Sequence, residues 1–154
     1  MKYVIIGGRK CGTTSLELFL KIQGFDVVRR EQLFTKNDGF KLYEQEFYDR
    51  QPILILRNPI DRAYSDWKYA RQEKRTELNY RDYCELENYN AGLGELNPIK
   101  QSNYKQWFKN WNITLDIFQL EDMQKVKDFP KINSTDGEIS EYDRNYTEDK
   151  LNEI

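Results

Sequence analysis

The chain predicts an α/β domain: a three-layer arrangement in which a central parallel sheet is flanked by helices. Three observations carry that expectation. Residues 3 to 15 run an apolar strand through a glycine-bearing loop into a helix start. Pro52 to Tyr69 repeats the pattern, with Ile53-Leu54-Ile55-Leu56 leading through Arg57-Asn58-Pro59 into a helical stretch. Continuous apolar runs of this kind are what strands covered on both faces require. Finally, strand-like and helix-like segments alternate along the chain, and 154 residues suffice for one domain with one core.

The elements follow in order. Residues 3 to 7 form the first strand and 13 to 23 the first helix, with Leu16, Phe19 and Leu20 as its inward stripe. Gly24 stops that helix, and Phe25 to Val28 form a short second strand. Residues 40 to 49 read as helical, 53 to 57 as the next strand, 60 to 74 as a long helix, and Tyr80 to Glu87 as a short one. Asn88 to Pro98, with Gly92 and Gly94, reads as a moving loop. Tyr104, Trp107, Phe108 and Trp111 recur at helical spacing and are read as core packing rather than a base-stacking surface. Leu115 to Leu120 form a strand ended by Glu121-Asp122. From Gln124 the chain is polar. The whole is read as one minimal domain over 1–154 with a partly ordered tail over 124–154, a poorly ordered connection at 130 to 145 and a short helix near 147 to 154.

The first strand-to-helix passage has the shape of a phosphate cradle. Backbone N–H groups and the positive end of a helix converge there. Gly7, Gly8 and Gly12 let the backbone come close, and Thr13, Thr14 and Ser15 add hydroxyl donors. The pattern is P-loop-like, with Gly7, Gly12 and Thr14 in register, but Thr13 takes the lysine position and the cation moves to Lys10 at the loop's crown. At the end of the second apolar run, where a P-loop NTPase carries an aspartate for Mg²⁺, this chain carries Arg57. A cation there binds an anion. Arg57 and Ser65, two turns into the following helix, are suited to hold a second phosphate by a guanidinium fork and a hydroxyl. Two anion sites without a metal carboxylate suggest a nucleotide with phosphates at both ends of its ribose.

At this point the sequence resembles a known family. Arg9-Lys10-Cys11-Gly12-Thr13-Thr14-Ser15 looks like the 5′-phosphosulfate loop of sulfotransferases, and Arg57-Asn58-Pro59 with Asp61-Arg62 and Ser65 looks like their 3′-phosphate motif. Among them the heparan sulfate (carbohydrate) type is most similar. The likeness is strong over residues 3 to 69 and weaker over 98 to 123. It implies a metal-independent transferase that moves a sulfuryl group from 3′-phosphoadenosine 5′-phosphosulfate (PAPS) to a hydroxyl or amine, a saccharide by preference, leaving the bisphosphate PAP. The implied cofactor-binding residues are Arg9, Lys10, Cys11, Gly12, Thr13, Thr14, Ser15, Arg57 and Ser65.

Such a transfer needs a base for the acceptor's proton and a cation for the charge that develops. The chain has no histidine, so the base is a carboxylate. Glu31 is the candidate, because Arg30-Glu31-Gln32-Leu33-Phe34 resembles the family's Lys-Glu-x-x-Phe segment; the alternative is a surface carboxylate paired with Arg29 or Arg30. Lys10 is the catalytic cation, and Arg30, Lys36 or Lys41 could supply a second one.

Composition sets further bounds. A net charge of −2 argues against nucleic acid as a partner. Arg29, Arg30, Lys36 and Lys41 are placed to receive an anionic acceptor, whereas Arg71, Lys74 and Arg75 read as a solvated helix face. Two cysteines, Cys11 and Cys84, give no disulfide framework; Cys11 is read as a small residue tolerated in the loop, with an oxidation-sensitive thiol as the other reading. No eighteen-residue apolar stretch or secretory leader is present, so the expectation is a cytoplasmic protein with no membrane partner, in which the Asn112, Asn133 and Asn145 glycosylation patterns are accidental. Two rivals stand beside this reading: a noncatalytic PAP- or PAPS-binding relative, and a P-loop nucleotide kinase.

Overall fold

The computed structural model describes residues 1–7, 10–31, 43–85, 109–110, 112–131 and 138–152. Four strands form one sheet among them: β1 (Lys2–Gly7), β2 (Asp26–Glu31), β3 (Gln51–Leu56) and β4 (Asp116–Gln119). Their order is β2-β1-β3-β4 and every pairing is parallel. The helices are α1 (Thr13–Ile22), α2 (Glu44–Asp49), α3 (Pro59–Gln72), α4 (Tyr80–Tyr83), α5 (Leu120–Met123) and α6 (Glu141–Asn152).

The alternation of side chains along each strand divides the core into two layers. Val4, Ile6 and Leu54 point to one side, where Phe47 of α2 closes on them. Ile5, Ile53, Ile55 and Val27 point to the other, under Leu16 and Leu20 of α1. The β1 and β3 members of both sets are at most 1% exposed. Covering such side chains contributes about 1.5–3 kcal/mol each. The two central strands are therefore the best-buried strands among the described residues, and both candidate anion motifs start from their C-terminal ends. The α/β class and the helix-flanked parallel sheet expected from the sequence are what the structure has.

The differences lie at element ends. β2 runs Asp26–Glu31, past the expected Val28, because Arg29, Arg30 and Glu31 continue the ladder on Ile5, Ile6 and Gly7. Apolar pattern stops at Val28, but an edge strand tolerates charged side chains while its backbone stays paired. β4 closes at Gln119, and Leu120 opens α5. The tail differs most. Where a poorly ordered connection to 145 was expected, α6 begins at Glu141, its Asp143 N–H capped by the Ser140 hydroxyl at 3.1 Å. α6 is anchored by polar contacts: Tyr80 and Thr147 hydroxyls at 2.6 Å, Arg144 to Asp61 at 3.0 Å, Lys150 to Glu85 at 3.0 Å, and a Tyr146–Glu85 hydrogen bond. Such anchoring leaves no apolar stripe for a sequence pattern to reveal. The expected loop at 88 to 98 and the aromatic helix of Tyr104, Trp107, Phe108 and Trp111 lie outside the described residues.

Candidate anion-binding site

β1 ends at Gly7 under a tight ceiling: a Cβ there would stand 3.0 Å from the Ile55 carbonyl oxygen and 3.0 Å from Thr13 Cγ2. After it, Lys10 adopts φ 60° at the crown of the loop, and Gly12 turns the chain into α1 with φ 89°. A side chain at Gly12 would be disfavoured twice, by that dihedral and by a Cβ 2.5 Å from Leu120 Cδ1. Gly12 occupies the cap position of α1 and contributes no side-chain hydrogen bond to it, and the first turn carries no acidic residue. An α-helix that starts this way points its first N–H groups and its positive end at the loop. Thr13 and Ser15 are buried there, and the Arg29 guanidinium of β2 donates to the Thr14 hydroxyl. Cys11 is also buried, inside the apolar cluster with Ile5 and Leu16.

The β3–α3 turn is built differently. Asn58 caps α3, its side-chain oxygen accepting from Ile60 N at 2.9 Å and Asp61 N at 3.4 Å, and Pro59 takes the first helical position. The Asn58 N–H donates in turn to Glu121 of α5, just past the neighbouring strand β4, 2.8 Å away. Burial pushes the Glu121 carboxyl up, but hydrogen bonds from Asn58, its own N–H and Gln119, with the nearby Arg57 charge, outweigh it and hold it below its ordinary value. Arg57 emerges just past β3 and donates from Nη1 to the Lys10 carbonyl at 2.9 Å. Burial lowers the guanidinium's affinity for its proton, although such a group stays charged in any accessible pH range.

Arg57 and Ser65 then line one cleft of about 570 Å³ together with Asp61 and Tyr64 of α3, Arg144 and Glu141 of α6, and Glu138 and Ile139 just before it, so two cations face three carboxylates there. Ser65 is 4% exposed, and Arg144 is tethered to Asp61. The pairing of Arg57 with Ser65 was legible in the sequence. Arg144, a second cation in the same cleft, was not; the only signal was Ser140 followed three residues later by Asp143, a capping pattern that marks a helix start without saying where the helix docks.

Other expected residues fall elsewhere. The Lys10 ammonium lies 4.3 Å from the centroid of the Tyr69 ring on α3. Arg30 points to the opposite layer, in a two-pronged pair with Glu46 at 2.9 Å and over the Tyr43 ring, so it stands apart from the cradle. The Glu31 backbone sits beside Gly7 in the ladder, level with the start of the loop; its side chain lies outside what the structure describes. Arg9, Lys36 and Lys41 also lie outside the described residues.

No family model matches the chain, and no curated protein does. Its fold is similar to that of a solved sulfotransferase from Alicyclobacillus acidocaldarius, with a TM-score of 0.64 over 98% of this chain and 91% of that one, at 14% sequence identity. No helix among the described residues is long and apolar enough to cross a membrane.

Proposed function

We propose that the chain is a sulfotransferase that takes the sulfuryl group of PAPS to a hydroxyl or amine acceptor, a saccharide by preference. The observation that carries the reading is the Arg57–Lys10 hydrogen bond, which fastens two anion-directed motifs across adjacent strands with no carboxylate at the strand end where a nucleotide kinase would hold Mg²⁺. The similar fold of a solved sulfotransferase supports it.

The residues fit such a nucleotide. The open end of α1, with Gly12, Thr13, Thr14 and Ser15, would hold the 5′ end, and Arg57 with Ser65 the 3′-phosphate. Bound PAPS would supply an activated sulfuryl group. In this reading Lys10 offsets the negative charge that develops at the loop, and Glu31 takes the acceptor's proton. Calorimetric titration with PAP, ADP and AMP in the absence of Mg²⁺ tests the first half. Micromolar PAP binding with much weaker binding of the other two is expected; equal or absent binding would sink the reading.

A noncatalytic PAP-binding relative is the second reading, favoured by the Lys10 ammonium resting on Tyr69. PAP binding without transfer to any hydroxyl or amine offered would select it.

A further inference from the structure

Helix α6 borders two clefts with two different faces. Glu141 and Arg144 line the Arg57 cleft, whereas Tyr142 and Asp143 line a second one, of about 730 Å³, that opens between α3, α4 and α6. At about 100° per residue those pairs lie on opposite sides of the helix. The second cleft shares no lining residue with the first.

Its walls are ring faces. Trp67 and Tyr80 meet edge to face at 5.7 Å, and the indole N–H donates to the Leu78 carbonyl at 2.9 Å, which fixes the ring in the wall. Tyr142 adds a ring that is 64% exposed. The Arg81 guanidinium covers one face of it, 3.6 Å from the centroid, and reaches the Tyr146 ring one turn on at 4.8 Å, so at that exposure the opposite face of Tyr142 is open.

The polar lining is unbalanced. Lys68, Arg71 and Arg81 each lie near an aromatic ring, and none of the three is in an ion pair among the described residues. Arg81 Nε is buried with no hydrogen-bond partner there, and a buried donor without an acceptor is costly. Against them stands one lining carboxylate, Asp143. Its N–H donates to the Ser140 hydroxyl and its carbonyl accepts from Thr147, so the backbone is engaged and the carboxylate is left to face the cleft.

The mixture selects a ligand chemistry. Unpaired cations call for an anionic group, and an open ring face calls for a flat ring to stack on it. Asp143 narrows the choice. A carboxylate repels a bare anion but accepts two parallel hydrogen bonds from adjacent N–H donors. Guanine presents such a pair, its ring N1–H and its exocyclic 2-amine, whereas the adenine amine sits beside a ring nitrogen whose lone pair would face the carboxylate. We infer that this cleft binds a guanine nucleotide, with the base stacked on Tyr142 and held by Asp143, and the phosphate taken by Lys68 and the neighbouring guanidinium groups. The site is separate from the cradle and stands whether or not the cradle takes a bisphosphate nucleotide.

The test is calorimetric titration of the whole chain with guanosine monophosphate (GMP), AMP and guanosine, with the GMP titration repeated in excess PAP. The expected result is GMP binding with Kd below about 1 mM, AMP and guanosine each weaker by about fivefold or more, and GMP binding that persists in PAP. Tyr142→Ala and Asp143→Asn should each weaken GMP by about fivefold or more, and Lys68→Gln by about threefold, with circular dichroism and PAP affinity unchanged. No GMP binding, AMP or guanosine bound as tightly as GMP, displacement of GMP by PAP, or GMP affinity indifferent to all three substitutions would each overturn the site. PAP titrated alone separates the two ideas, because a failure of PAP to bind sinks the cofactor reading and leaves the GMP result standing.

Discussion

The β1–α1 loop and the β3–α3 turn leave the two central strands at the same, C-terminal, end of the sheet, yet they are built in opposite ways. At the first, glycines bring the backbone close and helix α1 starts without a side-chain cap, so the peptide N–H groups themselves face the loop. At the second, Asn58 already satisfies the start of α3 and Pro59 removes a further donor, so in the proposed function the anion there would rest on Arg57 and Ser65. In the proposed function one site is made of backbone and the other of side chains. Damage to the first should therefore be geometric and severe, and damage to the second graded.

The largest effect is expected at Gly12. Gly12→Val forces a branched side chain into φ 89° and into Leu120, costing about 1–3 kcal/mol of stability. PAP binding should vanish in calorimetry while circular dichroism still reports a folded chain. Retained affinity would show that the cradle is not the 5′ site. Next, Lys10→Ala should lower turnover at least a hundredfold with PAP affinity kept, as a charge that acts only during transfer requires. Unchanged turnover removes Lys10 from the mechanism.

Arg57→Ala should weaken PAP by about 1.5–3 kcal/mol, the range for a charge-assisted hydrogen bond; indifference of PAP affinity would misplace the second site. Asn58→Ala sharpens the comparison from the other side. It should cost about 0.5–2 kcal/mol of stability in denaturant through the lost cap, with a smaller change in PAP affinity than Arg57→Ala. The reverse ranking would mean that the turn, not the guanidinium, makes the site.

The smallest effect concerns pH. The Glu121 carboxyl is held below its ordinary value of 4.5, so the stability it contributes is present above that value and lost as pH falls through the folded one. Asp26, paired with Arg50, and Glu85, bonded to Tyr146 and Lys150, act in the same direction from exposed positions. Melting temperature should drop from about pH 5 downward, and Glu121→Gln should flatten part of that slope. An identical acid limb in the variant would free Glu121 of this role.

The central strands were legible because Val4 to Ile6 and Ile53 to Leu56 are unbroken apolar runs, which only a doubly covered strand requires. The motifs at their ends were legible because glycine and cation spacing is local. Arg30 was not, since its alternation on β2 turns it to the layer opposite Arg29, where Glu46 takes it. Nor was Lys10's contact with Tyr69, which joins residues 59 positions apart.

The sequence by itself determined the α/β class, the two strand-to-helix passages at the ends of the central strands and the spacing that brings Arg57 and Ser65 to one cleft, all of which follow from periodicity and short-range spacing. The tertiary structure alone decided that Arg57 is tied to the Lys10 carbonyl, that Glu121 braces the Asn58 turn, and that Arg144 joins Ser65 in one cleft. Those contacts close over long stretches of chain through single polar bonds, and a lone polar bond has no period to announce it.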